Sequence, residues 1–216
     1  MTRTLPIAGL ISGGGRTLLN LAAAIDDGRL DASIELVISS RANATGVERA
    51  EARGLDVRIA APGDFRDDTH RHDSITAWLE AAGVELVCGC GYLQWIRVDP
   101  PFAGRMINIH PALLPDFGGP GMYGLHVHRA VLEAGRTESG CTVHVVDEAY
   151  DHGPTILQRR CPVKPGDTPE ELAARVFVEE CHAYPEAVQR IADGRVRIES
   201  GRVVQGERGS GSITRP

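Results

Sequence analysis

The chain has 216 residues and a mass of 23.2 kDa, which is the size of one ordinary domain. Hydrophobic residues make up 42%, enough for a packed core and too many for a disordered chain. The net charge of −6 argues against nucleic acid and anionic membranes as partners. No apolar stretch approaches the roughly 18 residues of a membrane span, and no signal peptide is recognisable. We therefore expect a cytoplasmic protein.

Short β-branched runs alternate with longer helical patterns along the first part of the chain. The predicted strands are Ile7–Ser12, Ile34–Ser39, Asp56–Ala60, Val84–Gly89 and Arg105–Ile109. The predicted helices are Arg16–Asp27, Thr45–Arg53, Thr69–Ala82 and Leu125–Ala134. Nearly continuous apolar strands that alternate with helices indicate an α/β fold, a doubly wound, mostly parallel sheet covered by helices on both faces.

The pattern changes after residue 134. Two further strands, Cys141–Val146 and Pro154–Val163, are joined by a polar loop, which favours an antiparallel extension of the sheet. Thr168 then opens a helix with a capping box and Pro at the first helical position. This helix is predicted to reach about Ala192, with a bend near Pro185.

The C-terminal part predicts a small hairpin and a tail. Residues 195–204 fit a hairpin around Ser200 and Gly201, and the stretch that follows is rich in Gly and Ser. We expect a single domain over residues 1–205 and a flexible tail over residues 206–216. The five cysteines are odd in number and lie in apolar segments, which indicates buried reduced thiols.

The first chemical candidate is the glycine-rich loop between the first strand and the first helix. Glycines let backbone N–H groups approach an anion, the helix N-terminus adds partial positive charge, and an arginine side chain adds a full one. The loop matches neither a dinucleotide fingerprint nor a Walker A motif. A phosphate site and a tight turn without ligand therefore both remain open. The residues concerned are Gly13, Gly14, Gly15, Arg16 and Thr17.

The second candidate is the pair Asn108 and His110 at the end of the fifth predicted strand. Residues two apart share one face of a strand, and open α/β sheets bind ligands at the carboxyl ends of their parallel strands. A side-chain amide and an imidazole side by side can both donate hydrogen bonds to one developing oxyanion. The alternative is that the pair only caps the end of a strand.

The third candidate is the acidic loop that includes Asp151. Beside an imidazole, its carboxylate would raise the pKa of that histidine, but residue types alone do not place it beside His110. His126, His128 and His144 invite a metal hypothesis, yet no carboxylate completes a ligand set, so we expect surface or supporting residues and no metal. Considered alone, Glu179 and Glu180 fit a solvated helix face.

Four segments together resemble the folate-dependent formyltransferase family. They are Asn108–Pro115, Gly124–His128, Gly140–His144 and Asp151–Gln158. Two others, Val37–Ala42 and Ala192–Val196, resemble the phosphoribosylglycinamide formyltransferases of purine biosynthesis within that family. The resemblance covers nearly the whole chain and implies a formyltransferase-like Rossmann fold.

The resemblance implies two small-molecule substrates, phosphoribosylglycinamide and the formyl donor 10-formyltetrahydrofolate. The glycine-rich loop would hold the ribotide phosphate and Glu180 the ribose hydroxyls, with Phe177, Val178 and Glu179 on that side. Leu93, Gln94, Trp95 and Ile96 would border the pterin. The folate would also contact Asn108 and lie under the loop formed by Asp147, Glu148, Ala149, Tyr150 and Asp151.

The implied reaction is direct attack of the glycinamide amine on the formyl carbon. Asn108 and a protonated His110 would stabilise the tetrahedral oxyanion. Asp151 would raise the basicity of His110 and support proton transfer to N10 of the departing folate, directly or through a water. This route needs neither a metal nor a covalent enzyme intermediate.

Several positions depart from the family pattern and leave the acceptor open. Gly14 and Thr17 differ in the phosphate loop, Gln94 and Trp95 in the folate pocket, and the loop 116–123 is longer than the short form. An amino sugar nucleotide or an aminoacyl-tRNA is therefore an alternative acceptor, although the negative charge argues against the latter. A non-enzymatic folate- or nucleotide-binding regulator would require a broken catalytic trio. Arg66 or Arg71 would replace the arginine that contacts the folate in the family. Whether the chain forms a homodimer is left open.

Overall fold

A computed structural model describes residues 4–199 and 201–206 of the chain. Seven strands form one sheet in the order β3-β2-β1-β4-β5-β6-β7. They are β1 Leu5–Ile11, β2 Ala32–Ser39, β3 Val57–Ile59, β4 Leu86–Gly89, β5 Met106–His110, β6 Glu138–Val145 and β7 Thr155–Pro162. β1 to β5 are parallel, whereas β6 is antiparallel to β5 and β7 is antiparallel to β6. The predicted parallel sheet and its antiparallel extension are confirmed.

Helices cover both faces of this sheet, as the alternation predicts. They are α1 Arg16–Asp26, α2 Thr45–Glu51, α3 Asp68–Ala81, α4 Leu125–Glu133 and α5 Pro169–Ala192. Apolar side chains of β1 alternate between two separate cores: Ile7 and Ile11 pack with α1, α4 and α5, whereas Ala8 and Leu10 pack with α3. The strands are therefore buried on both sides, which is why they read as continuous apolar runs.

Element ends depart from the predictions by a few residues. β6 begins at Glu138 rather than Cys141, because its first residue pairs with Pro162 of β7 although the side chain is polar and exposed. α3 begins one residue early because the Asp67 side chain accepts from the His70 backbone N–H. The predicted hairpin is present as β8 Val196–Glu199 and β9 Arg202–Gln205. The predicted tail lies outside the described residues except for Gly206.

The helix α5 runs unbroken through Pro185. A proline at this position lacks the N–H that would bond the carbonyl of Cys181 four residues earlier. Asn20 of α1 supplies the missing donor, because its Nδ2 donates to that carbonyl oxygen at 3.1 Å. The proline thus creates a polar docking point between α1 and α5. The predicted capping box of Thr168 is confirmed at the start of the helix.

Tyr184 anchors α5 to the carboxyl end of β4 and to β5 at Ile107, the residue before Asn108. Its fully buried hydroxyl lies 3.0 Å from the carbonyl oxygen of Gly89 and 3.2 Å from that of Ile107. Each buried carbonyl that loses its donor carries a desolvation cost. One buried side chain therefore joins β4 and β5, the two strands whose ends carry Gly89 and the candidate residues.

We expect Tyr184→Phe to lower the free energy of unfolding by about 1–3 kcal/mol, because it removes the shared donor without opening a large cavity. Urea unfolding followed by circular dichroism measures the change. Tyr123→Phe is the matched control, since Tyr123 is 49% exposed. Equal stability of the two variants would show that water replaces the hydroxyl at no cost.

None of the helices in the described ranges combines the length and apolarity needed to cross a bilayer. All five cysteines are free thiols; four are buried and Cys181 is half-buried.

Candidate active site

Asn108 and His110 lie at the carboxyl end of β5, where the sequence places them. The neighbouring strand leaves space for the amide, because Gly89 of β4 pairs with Asn108 in the sheet. A Cβ atom at position 89 would lie 2.5 Å from the Asn108 Oδ1 atom. A glycine is therefore required opposite the amide for this side chain to keep its position.

Asp151 converges on this pair from the loop between β6 and β7. Its Oδ2 lies 3.4 Å from His110 Nδ1, and its Oδ1 lies 3.6 Å from His144 Nε2. His144 is the cross-strand neighbour of Asn108, and its Nε2 lies 3.5 Å from the amide nitrogen. The structure thus brings the predicted amide, imidazole and carboxylate together. It also adds His144, which is buried and supports the carboxylate.

Two main-chain groups of the following loop complete the cluster. His110 Nε2 donates to the carbonyl oxygen of Phe117 at 2.8 Å, and the N–H of Gly119 donates to Asp151 Oδ2 at 3.0 Å. Both Phe117 and Asp151 adopt a left-handed backbone, with φ of 58° and 54°, which is uncommon for residues with side chains. Such strained conformations persist only where surrounding contacts hold them, and they concentrate at functional sites.

The charges of the cluster follow from a balance between burial and neighbours. Burial lowers the pKa of His110 below its ordinary value, although the Asp151 carboxylate and the Phe117 carbonyl both act to raise it. Burial raises the pKa of Asp151, but the hydrogen bond with His144 and the proximity of His110 outweigh it, so the net direction is downward. Asp151 is therefore a carboxylate at neutral pH. Because burial lowers the pKa of His110, the ring is neutral at rest, and the protonated His110 expected beside the tetrahedral oxyanion must take up its proton during the reaction.

Two cavities meet at this cluster. The first has mainly aliphatic walls and is called the apolar cavity; the second, whose lining includes Thr17, His110 and Glu180, is called the polar cavity. Four residues line both, namely Tyr92, Asn108, Tyr150 and Asp151. A group held in one cavity can therefore meet a group held in the other at these four residues, beside the amide and the carboxylate.

The apolar cavity contains most of the residues predicted to border the pterin. Leu10, Val87, Ile96, Met106, Ile107 and Val146 form much of its lining. The predicted residues Gln94 and Trp95 line it, as do Asp147, Ala149, Tyr150 and Asp151 of the acidic loop. Glu148 contributes its carbonyl oxygen, which lies 3.5 Å from Trp95 Nε1. The expectation for Leu93 is wrong, since Leu93 lines the polar cavity. The chain turns between β4 and Gln94, which places Leu93 on that side.

The polar cavity brings together only part of its predicted set. Thr17 and Glu180 line it. The guanidinium of Arg16 lies over the Phe177 ring, 3.7 Å from its centroid. Glu179 points elsewhere, because it lies 3.7 Å from Arg159, and Val178 is 53% exposed.

The glycine-rich loop is a tight turn packed against α2. The N–H of Gly46 donates to the Gly13 carbonyl oxygen at 3.0 Å, and a Cβ at position 46 would lie 2.6 Å from that oxygen. Arg49 donates to the Gly14 carbonyl oxygen at 2.8 Å. Gly15 caps α1 with φ of 67° and has no side chain to bond the first-turn amides, which have no partner within the helix at any helix start. This geometry suits an anion at the mouth of the polar cavity.

Glu180 is the one acidic side chain besides Asp151 in the polar-cavity lining given by the described residues. Burial raises its pKa to about 7, and the positive charge of Arg16 only partly offsets this. The carboxyl is thus divided between its neutral and charged forms at physiological pH. Such a carboxyl can donate a hydrogen bond to a hydroxyl group in its neutral form and accept one in its charged form.

We expect Glu180→Gln to change how stability depends on pH. The unfolded chain ionises this carboxyl near 4.5 and the folded chain near 7, so the free energy of unfolding of the parent falls as pH rises between those values. The glutamine variant lacks that fall. Its free energy of unfolding, measured relative to the parent, should therefore be higher at pH 8 than at pH 4 by on the order of 2 kcal/mol. Urea unfolding at several pH values measures it, with Glu179→Gln as control; parallel curves for Glu180→Gln and the parent would contradict the assignment.

Neither arginine proposed for the folate tail is free. Arg71 is buried, forms an ion pair with Asp68 at 3.0 Å and donates to the Tyr92 hydroxyl at 3.3 Å. It therefore supports the wall shared by the two cavities. Arg66 lies at the surface, 3.3 Å from Asp67. Among the described residues, no group of three His, Cys, Asp or Glu side chains is arranged to hold a metal ion.

Sequence reasoning missed the supporting groups of the cluster more than its central residues. The carbonyl of Phe117 and the N–H of Gly119 are backbone atoms and carry no residue-type signal. His144 had a usable signal, because its place in the antiparallel strand sets it opposite Asn108. His128 was left between a surface and a supporting role, and it is buried.

The chain is similar in sequence to several known proteins. A family model described as formyl transferase matches residues 5–188. The chain is 42% identical over 197 residues to the trifunctional purine biosynthetic protein adenosine-3 of Drosophila pseudoobscura, covering 88% of this chain but only 14% of that protein. It is 34% identical to the phosphoribosylglycinamide formyltransferase of Haemophilus influenzae, covering 89% of this chain and 90% of that protein.

The fold of the chain is also similar to solved structures. The glycinamide ribonucleotide transformylase 1 of Symbiobacterium toebii superimposes with a TM-score of 0.86 and 40% identity. The match covers 94% of this chain and 95% of that chain.

Proposed function

The chain belongs to the formyl transferase family, and we propose that it transfers the formyl group of 10-formyltetrahydrofolate to the amine of phosphoribosylglycinamide. The observation that carries the proposal is the meeting of an apolar and a polar cavity at Asn108 and Asp151. The names of the similar proteins support the choice of acceptor. We also propose that residues 1–205 form one formyltransferase domain.

The donor occupies the apolar cavity in this proposal. A flat pterin ring suits a pocket with mainly aliphatic walls, and its polar edge meets Asp147 and the backbone of the acidic loop. Trp95 and Tyr150 lie at the mouth, both about half exposed. The folate is thereby oriented with N10 toward Asn108.

The acceptor occupies the polar cavity. Its phosphate lies at the N-terminus of α1, where partial positive charge and the nearby Arg16 favour an anion. Glu180 hydrogen-bonds the ribose hydroxyls from α5. The amine of the acceptor then extends toward the cluster of Asn108, His110 and Asp151.

The reaction proceeds by direct transfer. The amine attacks the formyl carbon, and the formyl oxygen becomes an oxyanion that accepts a hydrogen bond from Asn108 Nδ2; a well-placed donor of this kind contributes about 3–4 kcal/mol. The neutral His110 takes the proton that the attacking nitrogen must lose. It becomes an imidazolium stabilised by Asp151, whose charge is fixed by His144 and Gly119.

The same proton then leaves with the folate. The imidazolium of His110 protonates N10 as the bond between the formyl carbon and N10 breaks, which yields tetrahydrofolate and the formylated amide. The Nε2–H group of the ring is occupied by its hydrogen bond to the Phe117 carbonyl oxygen. The transferred proton therefore enters and leaves through Nδ1, the nitrogen that faces Asp151. No step requires a metal or a covalent enzyme intermediate.

The test is an initial-rate assay of tetrahydrofolate release with three reaction mixtures: phosphoribosylglycinamide, an amino sugar nucleotide, and no acceptor. We expect release with the glycinamide ribotide only. Release with the amino sugar nucleotide would move the assignment to another acceptor, and release without acceptor would indicate a hydrolase. Absence of release by folded protein in all mixtures would overturn the proposal.

A further inference from the structure

The loop 117–119 after β5 contacts both the imidazole of His110 and the carboxylate of Asp151. The carbonyl of Phe117 accepts from His110 Nε2, and the N–H of Gly119 donates to Asp151 Oδ2, the oxygen that faces His110. The residue between them, Gly118, makes neither bond. Because Gly118 lies between the two contacts, the size of its side chain determines how closely Asp151 can approach the loop.

Gly118 is a glycine for reasons of space rather than backbone conformation. It is absent from the glycines with positive φ, so an alanine could adopt its backbone. A Cβ atom there would lie 2.6 Å from Leu114 Cδ2 and 3.2 Å from the Cβ of Asp151. Leu114 has a flexible tip that can rotate away, whereas the Cβ of Asp151 is bonded to the backbone and can move only together with the carboxylate that it carries.

We propose that Gly118 is a positioning residue for proton transfer: the missing side chain lets Asp151 lie against the loop 117–119 and face His110. The kinetic part of this inference rests on the proposed function. A methyl group at position 118 would lie 3.2 Å from the Cβ of Asp151, so the Asp151 side chain must shift by a few tenths of an ångström relative to His110, while Asn108 is not among the three nearest neighbours of that methyl group.

The consequence for His110 follows from the groups that face it. Asp151 and the Phe117 carbonyl favour its protonated form, His144 of β6 disfavours it, and burial disfavours it most. His128 of α4 is close enough for its own pKa to be lowered by His110. Displacing Asp151 removes the one negative charge among these groups. The imidazolium that must form during transfer then loses its counter-ion.

The first experiment compares Gly118→Ala with the parent. We expect kcat to fall by about tenfold or more, with KM for both substrates changed by less than about threefold, because binding groups stay in place. Gly63→Ala is the matched control, since Gly63 also lacks positive φ and has open space around its Cβ position. A merely structural defect of the loop, which lines the polar cavity, would instead raise KM for the acceptor, and that result would overturn the proposal.

The second experiment is a double-mutant cycle with Asp151→Asn. If Gly118 acts through the carboxylate, adding Gly118→Ala to Asp151→Asn causes little further loss, whereas an undiminished loss contradicts the proposal. Should Gly118→Ala fail to fold, adding Leu114→Val removes the contact with Leu114 Cδ2 and leaves the tight contact with the Cβ of Asp151.

The third experiment does not depend on turnover. Nuclear magnetic resonance titration of the His110 ring, with ¹⁵N-labelled histidine, follows its protonation in the parent and in Gly118→Ala. We expect the His110 midpoint to move to lower pH in the variant and to stay unchanged in Gly63→Ala. An unmoved midpoint overturns the positioning role even if formyl transfer is confirmed, and a moved midpoint supports it even if the acceptor proves different.

Discussion

Replacing His110 with alanine is expected to lower kcat by about 10²–10⁴-fold, because the substitution removes the group that accepts and returns the transferred proton. The loss should appear mainly in kcat, since the imidazole is 3% exposed and lines the polar cavity beside Asp151, where the reacting groups meet. Steady-state kinetics of tetrahydrofolate release with varied donor and acceptor measures it.

Two controls separate chemistry from folding for this variant. Urea unfolding reports whether the buried hydrogen bond to Phe117 is needed for stability, and His70→Ala removes an exposed histidine of α3. A His110→Ala protein that remains folded and turns over within about threefold of the parent would remove His110 from the mechanism.

Asn108→Ala is expected to lower kcat by about 10²–10³-fold, because it removes the amide donor to the oxyanion. Gly89→Ala provides an independent way to disturb the same atom, since the new methyl group would displace Oδ1 of Asn108. Both variants should bind the donor with nearly unchanged affinity, measured by the change in intrinsic tryptophan fluorescence, to which Trp95 at the cavity mouth contributes together with Trp78. If Asn108→Ala weakens donor binding and kcat by the same factor, the amide is a binding group rather than an oxyanion donor.

The sheet could be predicted because each parallel strand is buried on both faces. Val84–Gly89 and Arg105–Ile109 read as apolar runs, and their structural counterparts differ only at the ends. β6 was predicted to begin too late because Glu138 and Ser139 carry no apolar signal, and pairing with β7 alone extends the strand. Strand ends depend on partners, which the residue pattern of one strand does not contain.

The cluster could be predicted only in part. The spacing of Asn108 and His110 places both side chains on one face, but the approach of Asp151 depends on the course of a loop between two strands. Of four consecutive α5 residues assigned to the acceptor side, Glu180 lines the polar cavity and Phe177 lies under Arg16. Helical periodicity explains this, because residues three apart share a face whereas adjacent residues do not.

The protonation of His110 could not be derived from residue types. Sequence reasoning gives the sign of the Asp151 contribution correctly, since a nearby carboxylate raises the pKa of an imidazole. The structure adds a larger opposing effect, the burial of the ring beneath β5 and the loop 117–119. Burial depends on packing of distant segments, so only coordinates decide which effect dominates.

The most direct test of direct transfer between the two cavities is a crystal structure with a stable folate analogue and phosphoribosylglycinamide bound together. The account predicts the pterin in the apolar cavity, the phosphate at the N-terminus of α1, and the amine about 3–3.5 Å from the position of the formyl carbon. Asn108 Nδ2 should lie within hydrogen-bonding distance of the formyl oxygen position. Two ligands bound with the amine remote from Asn108 and Asp151 in an ordered, closed site would contradict the account.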